Sequence, residues 1–227
     1  MPPEDLPGLS DLCAEVAAAA RALAAAGLVL GASGNLSARR GDHVAVTPTG
    51  ARLARVQAED ITVVDLEGTV VGGSGLAPTS EIDLHLGAYR RFSTGSVIHT
   101  HSPHATALAC VLEEVPCIHY GMLALGGDIR VAPYRTFGTP ELAELTLTAL
   151  EGKAAALMAS HGAIVLGADI AQAYEHAELL EWACGLYVTA TRMGTPHVLD
   201  AAERADVVAA IAARRHAAMR PAGEPAA

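Results

Sequence analysis

The stretch from residue 97 to 103 constrains this chain most strongly, because an apolar run there ends in two histidines. The run leads into His99-Thr100-His101, and Pro103 then stops the strand. Successive side chains of a strand point to opposite faces, so His99 and His101 share one face. The pair can present two imidazole nitrogens to one metal ion, or it can be a polar stripe on a half-exposed strand.

A second strand end offers a third histidine. The apolar run from Ala154 to Met158 ends in Ser160-His161-Gly162, and another apolar strand follows. Gly162 lets the backbone come close to a neighbour. A lone histidine in such a turn is usually a satisfied polar residue. Beside an independent His-x-His pair, however, His161 is the best candidate for a third metal ligand.

Three turns offer sites for an anion: two are rich in glycine and hydroxyl side chains, at residues 31–37 and 47–50, and the third is Thr79-Ser80-Glu81. Exposed backbone N–H groups in such a turn can form an anion-binding nest, and a plain turn is the alternative. In the third turn, Thr79 or Ser80 is a natural helix N-cap. Glu81 either favours the helix dipole or serves as a base beside a bound phosphate.

The charged residues exclude several mechanisms and partners. Lys153 is the only lysine, so a Schiff-base or P-loop lysine must be Lys153 itself. This lysine lies in a turn, where a solvated side chain is the ordinary expectation. The net charge of −10 also disfavours nucleic acid or an acidic membrane surface as partner.

Length and cysteine spacing predict one cytoplasmic domain. The 227 residues show no composition break, so residues 1–213 are expected to form a single domain and residues 214–227 a flexible tail. Strands alternate with helices throughout, which predicts an α/β fold. Neither a signal peptide nor a membrane span is evident. The cysteines have no C-x-x-C spacing and are expected to be reduced: Cys13, Cys110, Cys117 and Cys184.

Taken together, the motifs resemble the class II aldolase/epimerase family, which includes L-fuculose-1-phosphate aldolase and L-ribulose-5-phosphate 4-epimerase. The resemblance runs from about residue 10 to residue 190. It implies a three-layer α/β/α sandwich around a mostly antiparallel sheet, and a homotetramer with active sites between subunits. The matching motifs, in chain order, are Gly34-Asn35-Leu36-Ser37, Thr47-Pro48-Thr49-Gly50, Thr79-Ser80-Glu81, His99-Thr100-His101, Ile118-His119-Tyr120, Phe137-Gly138-Thr139 and His161-Gly162.

The resemblance also implies roles for individual residues. His99, His101 and His161 are expected to bind one Zn²⁺ ion per subunit. Glu81 is expected to be the acid/base residue and to ligate the metal when no substrate is bound. Tyr120 is expected to act as a proton donor that reaches in from a neighbouring subunit. The implied phosphate cradle comprises Gly34, Asn35, Thr49, Gly50, Thr79 and Ser80.

The implied reaction is the cleavage of a phosphorylated sugar. A ketose 1-phosphate similar to L-fuculose 1-phosphate would give dihydroxyacetone phosphate and a small aldehyde such as lactaldehyde. The metal would polarise the C2 carbonyl as a Lewis acid. Glu81 would move the proton at C3, and Tyr120 would manage the proton on the aldehyde oxygen. The lack of a usable Schiff-base lysine agrees with this route.

Other members of the family give the alternatives. Decarboxylases, dehydratases and 4-epimerases share the scaffold, but the epimerases carry an aspartate where Glu81 stands. His119-Tyr120 followed by two glycines is typical of the aldolases. The fuculose aldolases enclose the aldehyde end with a C-terminal tyrosine, whereas no tyrosine follows His197, so the residue with that role is open. A non-catalytic, adducin-like binding module is a distant alternative, which the intact histidine triad disfavours.

Overall fold

A computed structural model describes residues 8–218 of the chain. Within them, one nine-stranded sheet has the order β4-β3-β2-β1-β5-β9-β8-β7-β6. Neighbouring strands are antiparallel except β7 and β8, which are parallel. The strands are β1 (Asn35–Arg40), β2 (His43–Val46), β3 (Thr62–Asp65), β4 (Val70–Gly73), β5 (Ser96–Thr100), β6 (Glu114–Val115), β7 (Ile129–Ala132), β8 (Ala155–Met158) and β9 (Gly162–Gly167).

Helices cover both faces of this sheet, which confirms the predicted three-layer α/β/α architecture. One face packs against α1, α3 and α5, and the opposite face packs against α2 and α4. The helices are α1 (Leu9–Ala25), α2 (Ile82–Arg91), α3 (Pro103–Ala109), α4 (Pro140–Ala149), α5 (Ile170–Met193) and α6 (Ala201–Ala218).

Strand β5 lies in the middle of the sheet and is buried on both faces. Its Ile98 belongs to the core beneath α1 and α5, whereas Val97 belongs to the core beneath α2 and α4. Alternating side chains therefore enter opposite layers. His99 follows the same alternation as Val97, so the histidine pair begins on the face that α2 covers.

The described residues also bear on the predictions for the chain ends and for the cysteines. Helix α6 continues through Ala218, whereas residues 219–227 of the predicted flexible tail lie outside the described part. In the region from residue 8 to 218, no helix combines the length and apolar character that a membrane span requires. The four cysteine thiols are unpaired.

Candidate active site

The predicted metal ligands meet where β5 ends beside the turn between β8 and β9. His99 and Thr100 pair with Ile164 and Ala163 of β9. His161 lies in the turn that enters β9. The nearest ring nitrogens of His99, His101 and His161 all lie within 4.8 Å of one another. Two separate strand ends therefore bring three imidazoles to one point, as the sequence predicted.

The ring of His99 is held with one nitrogen facing this cluster. Its Nδ1 lies 2.9 Å from the carbonyl oxygen of Ala163, and that oxygen can only accept. Nδ1 therefore carries a proton, which leaves Nε2 as the nitrogen that can bind a metal ion. That Nε2 lies 2.9 Å from Nε2 of His101. A backbone carbonyl thus fixes the tautomer that a metal ligand needs.

Local backbone conformation brings His161 to the cluster. Ser160 has φ of 53°, which is uncommon for a residue other than glycine. At Gly162, a Cβ atom would lie 2.4 Å from the carbonyl oxygen of Thr100 and 3.2 Å from ring atoms of His99 and His101. Only glycine fits this approach, which confirms the sequence interpretation of Gly162.

The carboxylate of Glu81 adds a fourth donor group. Its Oε2 lies 3.1 Å from Nε2 of His99, and its Oε1 lies 3.5 Å from Nε2 of His161. Asn35 donates an N–H to Oε2 at 3.0 Å. Oε1 is buried and has no hydrogen-bond partner among residues 8–218. A buried carboxylate oxygen is costly unless some group interacts with it.

This donor set fits a divalent metal ion. Nε2 of His99 faces a second imidazole nitrogen and a carboxylate oxygen, and one cation could bind all three donor atoms. Burial, followed by the neighbouring histidines, lowers the pKa of His101 to about 4, so its ring is neutral near pH 7 as a ligand must be. Three imidazoles and one carboxylate are common ligands of Zn²⁺.

Glu81 itself is ionised near neutral pH. Burial raises its pKa, but the opposing contributions of His99, the Asn35 hydrogen bond and His161 are larger in sum and hold the pKa below its usual value. A buried carboxylate that stays charged can ligate a cation or accept a proton from a substrate.

One cavity contains the predicted phosphate cradle next to this cluster. Glu81, His101 and His161 lie at one end, while His99 lies behind them and is fully buried. All six predicted cradle residues line the same cavity, namely Gly34, Asn35, Thr49, Gly50, Thr79 and Ser80. The predicted phosphate-binding turns and the candidate metal ligands therefore lie in the same cavity.

The predicted helix cap at this turn was wrong. Helix α2 begins at Ile82 with Glu81 as its N-cap residue, rather than with Thr79 or Ser80. The hydroxyl of Thr79 instead accepts the backbone N–H of Glu81 at 3.3 Å. The chain makes a turn before the helix, which leaves the Glu81 carboxylate directed at the histidines rather than at its own backbone.

Tyr120 does not reach the cavity of its own chain. It opens the 3₁₀ helix Tyr120–Leu125 and is 58% exposed. Its ring lies 4.5 Å from that of His119, which in turn lies 4.8 Å from the half-exposed Trp182. The predicted role of Tyr120 at a neighbouring subunit's site is compatible with this placement and stays a prediction.

Sequence reasoning missed several residues of the site. Tyr134, Arg135 and Phe137 line the cavity from the loop after β7. Only Phe137 lay in a recognised motif. A buried polar group behind Glu81, which contains Ser37, His85 and Tyr89, was not predicted either. The four-residue spacing from Glu81 to His85 was an available signal, because such residues share one helix face.

Comparison with known proteins identifies the family. The family model described as class II aldolase and adducin N-terminal domain matches residues 14–188. The chain belongs to this family. It is 38% identical to the 5-methylthioribulose-1-phosphate/5-deoxyribulose-1-phosphate aldolase of Rhodospirillum rubrum, over 82% of this chain and 84% of the relative.

Two further relatives show the range of this class II aldolase family. A 3-oxo-tetronate 4-phosphate decarboxylase of Haemophilus influenzae is 38% identical, over 72% of this chain and 80% of its own. A solved L-fuculose 1-phosphate aldolase superposes with a TM-score of 0.85 at 34% identity, covering 89% of this chain and 97% of that one. The chain is thus an enzyme of the class II aldolase family, as its sequence motifs implied.

Proposed function

We propose that this enzyme is a zinc-dependent aldolase that cleaves a 2-ketose 1-phosphate into dihydroxyacetone phosphate and a small aldehyde. One observation carries the proposal: His99, His101, His161 and Glu81 converge at one end of the cavity that contains the cradle residues. The three histidines can bind a metal ion, and Glu81 lies close enough to them to carry a proton beside that ion.

The aldolases among the relatives narrow the substrate. L-Fuculose 1-phosphate, 5-deoxyribulose 1-phosphate and 5-methylthioribulose 1-phosphate share carbons 1 to 3, which leave as dihydroxyacetone phosphate after cleavage between C3 and C4. They differ in the aldehyde half, which ends in a methyl or methylthio group. Tyr134 and Phe137 offer apolar surface for such an end. We therefore include all three as candidate substrates.

Glu81 acts as the proton carrier at C3. When bound, the metal ion supplies a Lewis acid that draws electrons from the C2 carbonyl. Cleavage places a proton on C3 after the C3–C4 bond breaks, and the reverse reaction removes that proton. Glu81 is buried, ionised and close to the ligand nitrogens, so it can accept the C3 proton in the reverse reaction. In the cleavage direction the C4 hydroxyl loses one proton as C3 gains one, and Glu81 delivers its proton to C3 only after it has been protonated.

The cradle binds the phosphate without lysine. Gly34 and Gly50 have φ of 78° and 69°, and turns with a residue in this left-handed conformation can form an anion-binding nest of backbone N–H groups. Thr49, Thr79 and Ser80 add hydroxyl donors. Neutral donors around an anion confer geometric selectivity for a tetrahedral group.

A tetramer with active sites between subunits would complete the site. Tyr120 is exposed and lies outside the cavity of its own chain, so its proposed contact with the aldehyde oxygen needs a second copy. The neighbouring rings of His119 and Trp182 give that surface an aromatic character, which is common at protein interfaces. A cytoplasmic location, expected from the reduced thiols, stays a prediction.

The deciding experiment measures dihydroxyacetone phosphate released from the three ketose 1-phosphates. Each is tested before chelation, after chelation and after Zn²⁺ is restored. Release that chelation abolishes and Zn²⁺ restores would establish the aldolase and rank the substrates. A zinc-loaded enzyme that releases none from any of the three would contradict the proposal.

A decarboxylase is the second candidate, because one relative is a 3-oxo-tetronate 4-phosphate decarboxylase and because Arg135 lines the cavity. A tetronate carries a carboxylate that the ketose 1-phosphates lack, and an arginine can bind it bidentately. Release of CO₂ from 3-oxo-tetronate 4-phosphate, with no cleavage of the ketose phosphates, would favour this reaction.

A further inference from the structure

A continuous chain of buried hydrogen bonds lies behind Glu81. Tyr89 Oη is 2.7 Å from Ser37 Oγ, which is 2.7 Å from Nδ1 of His85. Nε2 of His85 is 2.5 Å from Oδ1 of Asn35, whose Nδ2 is 3.0 Å from Oε2 of Glu81. Each of these five side chains belongs to a buried residue.

The chemistry of the groups fixes the direction of every bond in this chain. The ionised carboxylate of Glu81 only accepts, so Asn35 must turn its NH₂ group toward it. Asn35 Oδ1 therefore faces His85 and accepts from Nε2–H. Nδ1 of the neutral His85 ring then accepts from the Ser37 hydroxyl. Ser37 in turn accepts the hydroxyl proton of Tyr89.

His85 is the link that holds the Asn35 amide in one orientation. An asparagine side chain can rotate by 180°, which would place its oxygen against the Glu81 carboxylate. The Nε2–H of His85 opposes that rotation, because the rotated NH₂ group would meet this N–H with no acceptor between them. The backbone N–H of His85 also donates to the carbonyl oxygen of Glu81, so one helical turn connects the two residues.

We propose that His85 is a positioning residue for this reaction: through Asn35 it orients the Glu81 carboxylate toward the three histidines. It touches neither the substrate nor the candidate metal. Ser37 and Tyr89 hold its ring in the required tautomer. This inference rests on the proposed function for the role of Glu81, but the orientation of the carboxylate also affects metal affinity and can be measured separately.

Two amide substitutions at His85 separate the two sides of its ring. The amide nitrogen of glutamine stands where Nε2 stands in histidine, so His85→Gln keeps a donor for Asn35. The amide oxygen of asparagine stands where Nδ1 stands, so His85→Asn keeps an acceptor for Ser37 and loses the bond to Asn35. Both variants bury one amide, which makes each a matched control for the other.

The test measures the affinity of the metal-free protein for Zn²⁺ and, with the zinc-loaded protein, kcat and KM for the best ketose 1-phosphate. We expect His85→Asn to weaken Zn²⁺ affinity and to lower kcat, each by roughly 10- to 100-fold, with a smaller change in KM. We expect the Zn²⁺ affinity and kcat of His85→Gln to stay within about threefold of the wild-type values, because this variant keeps the donor that orients Asn35.

Leu86→Ala on the same helix controls for lost stability, because Leu86 is buried in the core and its apolar side chain cannot take part in the chain of hydrogen bonds. It should unfold more easily yet keep its Zn²⁺ affinity and kcat. Equal behaviour of the asparagine and glutamine variants, whether both normal or both impaired, would overturn the proposal. So would a loss of metal affinity in Leu86→Ala that matches the loss in His85→Asn.

The two proposals fail in different ways. If the wild type binds Zn²⁺ but cleaves no ketose 1-phosphate, the proposed function fails, and the affinities of the two amide variants still decide the role of His85. If the wild type is an active aldolase and both amide variants match it, only the positioning role fails.

Discussion

Asn35 and His99 are direct partners across strands β1 and β5. Directly opposed residues of an antiparallel pair have side chains on the same face of the sheet. The pairing register of β1 and β5 therefore places both the Asn35 amide, which contacts Glu81, and the His99 imidazole of the histidine cluster. A slip of one residue between β1 and β5 would leave these two side chains on opposite faces of the sheet.

Replacing His161 by alanine should remove the metal. The remaining donors would be His99, His101 and Glu81, and the turn that carries His161 contributes no other imidazole. We expect less than about one tenth of the wild-type metal content after dialysis, and activity at least about 100-fold lower. Elemental analysis measures the first quantity.

His104→Ala is the control for this substitution. His104 is exposed and pairs with Glu181 on helix α5, outside the cluster. The His104→Ala variant should keep its metal and most of its activity. Full metal content in His161→Ala would contradict the ligand assignment.

Glu81→Gln should lower turnover much more than metal content. The amide keeps the shape of the carboxylate but cannot carry a proton, so we expect kcat to fall by roughly 10²- to 10⁴-fold. The three histidines should still hold zinc at saturating Zn²⁺, although with lower affinity because the amide carries no charge, so kcat is measured on the zinc-loaded variant. Asp83→Asn, in the first turn of the same helix, is the control and should leave kcat nearly unchanged. Undiminished turnover in Glu81→Gln would exclude the proton-carrier role.

The stability of the metal-free protein should fall as the pH falls. Burial lowers the pKa of His85 to about 4, so in the folded protein its ring stays neutral down to that pH. In the unfolded chain the ring takes up a proton from about pH 6.5 downward, which favours unfolding by roughly 3 kcal/mol once the pH reaches about 4.

Urea unfolding at several pH values, compared between the wild type and His85→Gln, measures this effect. The free energy of unfolding of the variant should depend less steeply on pH across the same window, because the substituted side chain does not titrate. Identical pH slopes for both proteins would show that His85 has an ordinary pKa.

Tyr120 can be tested by mixing two inactive variants. If Tyr120 acts in the site of another subunit, mixed oligomers of Tyr120→Phe and Glu81→Gln contain some complete sites. In these sites the Tyr120→Phe subunit supplies Glu81 and the Glu81→Gln subunit supplies Tyr120. Activity should then recover to a measurable fraction of the wild type. Two variants that stay inactive when mixed, although light scattering shows mixed oligomers, would contradict a role across subunits.

The two cradle glycines should respond differently to alanine. Both have positive φ, so alanine costs roughly 1–2 kcal/mol at either position. At Gly34 the added Cβ would also lie 2.6 Å from Cγ1 of Val29 and 2.9 Å from the carbonyl oxygen of His99, whereas at Gly50 nothing lies within 4 Å.

Gly34→Ala should therefore unfold at lower temperature than Gly50→Ala and lose metal affinity through the displaced His99. Thermal unfolding and Zn²⁺ titration compare the two variants. Equal effects at both positions would show that the loop beside Gly34 relaxes without moving strand β5.

Much of the fold followed from local patterns. The apolar runs and the turns beside them predicted β5 and β8 close to their observed bounds, and the strand after His161 that is observed as β9. The His99-Thr100-His101 pair and His161 likewise indicated a metal site, and the structure brings one ring nitrogen of each within 4.8 Å of the others. These features can be predicted from the sequence because side-chain alternation along a strand, and the glycine or proline residues that end it, depend on only a few neighbouring residues.

Other parts of the site had no local signal. The position of Arg135 in the cavity depends on how the loop after β7 folds back, and no motif contains that residue. The N-cap of α2 was mispredicted because the carboxylate of Glu81 contacts residues far away in sequence. Tertiary contacts of this kind override local capping preferences.

The sequence alone determined the α/β layering, the kinds of metal-ligand and cradle residues, and membership of the class II aldolase family. Only the tertiary structure decided that Tyr89, Ser37, His85, Asn35 and Glu81 form one directed chain of hydrogen bonds. The physical reason is that the direction of each bond depends on which atoms face each other between β1 and α2, and these elements are separated along the chain by more than forty residues.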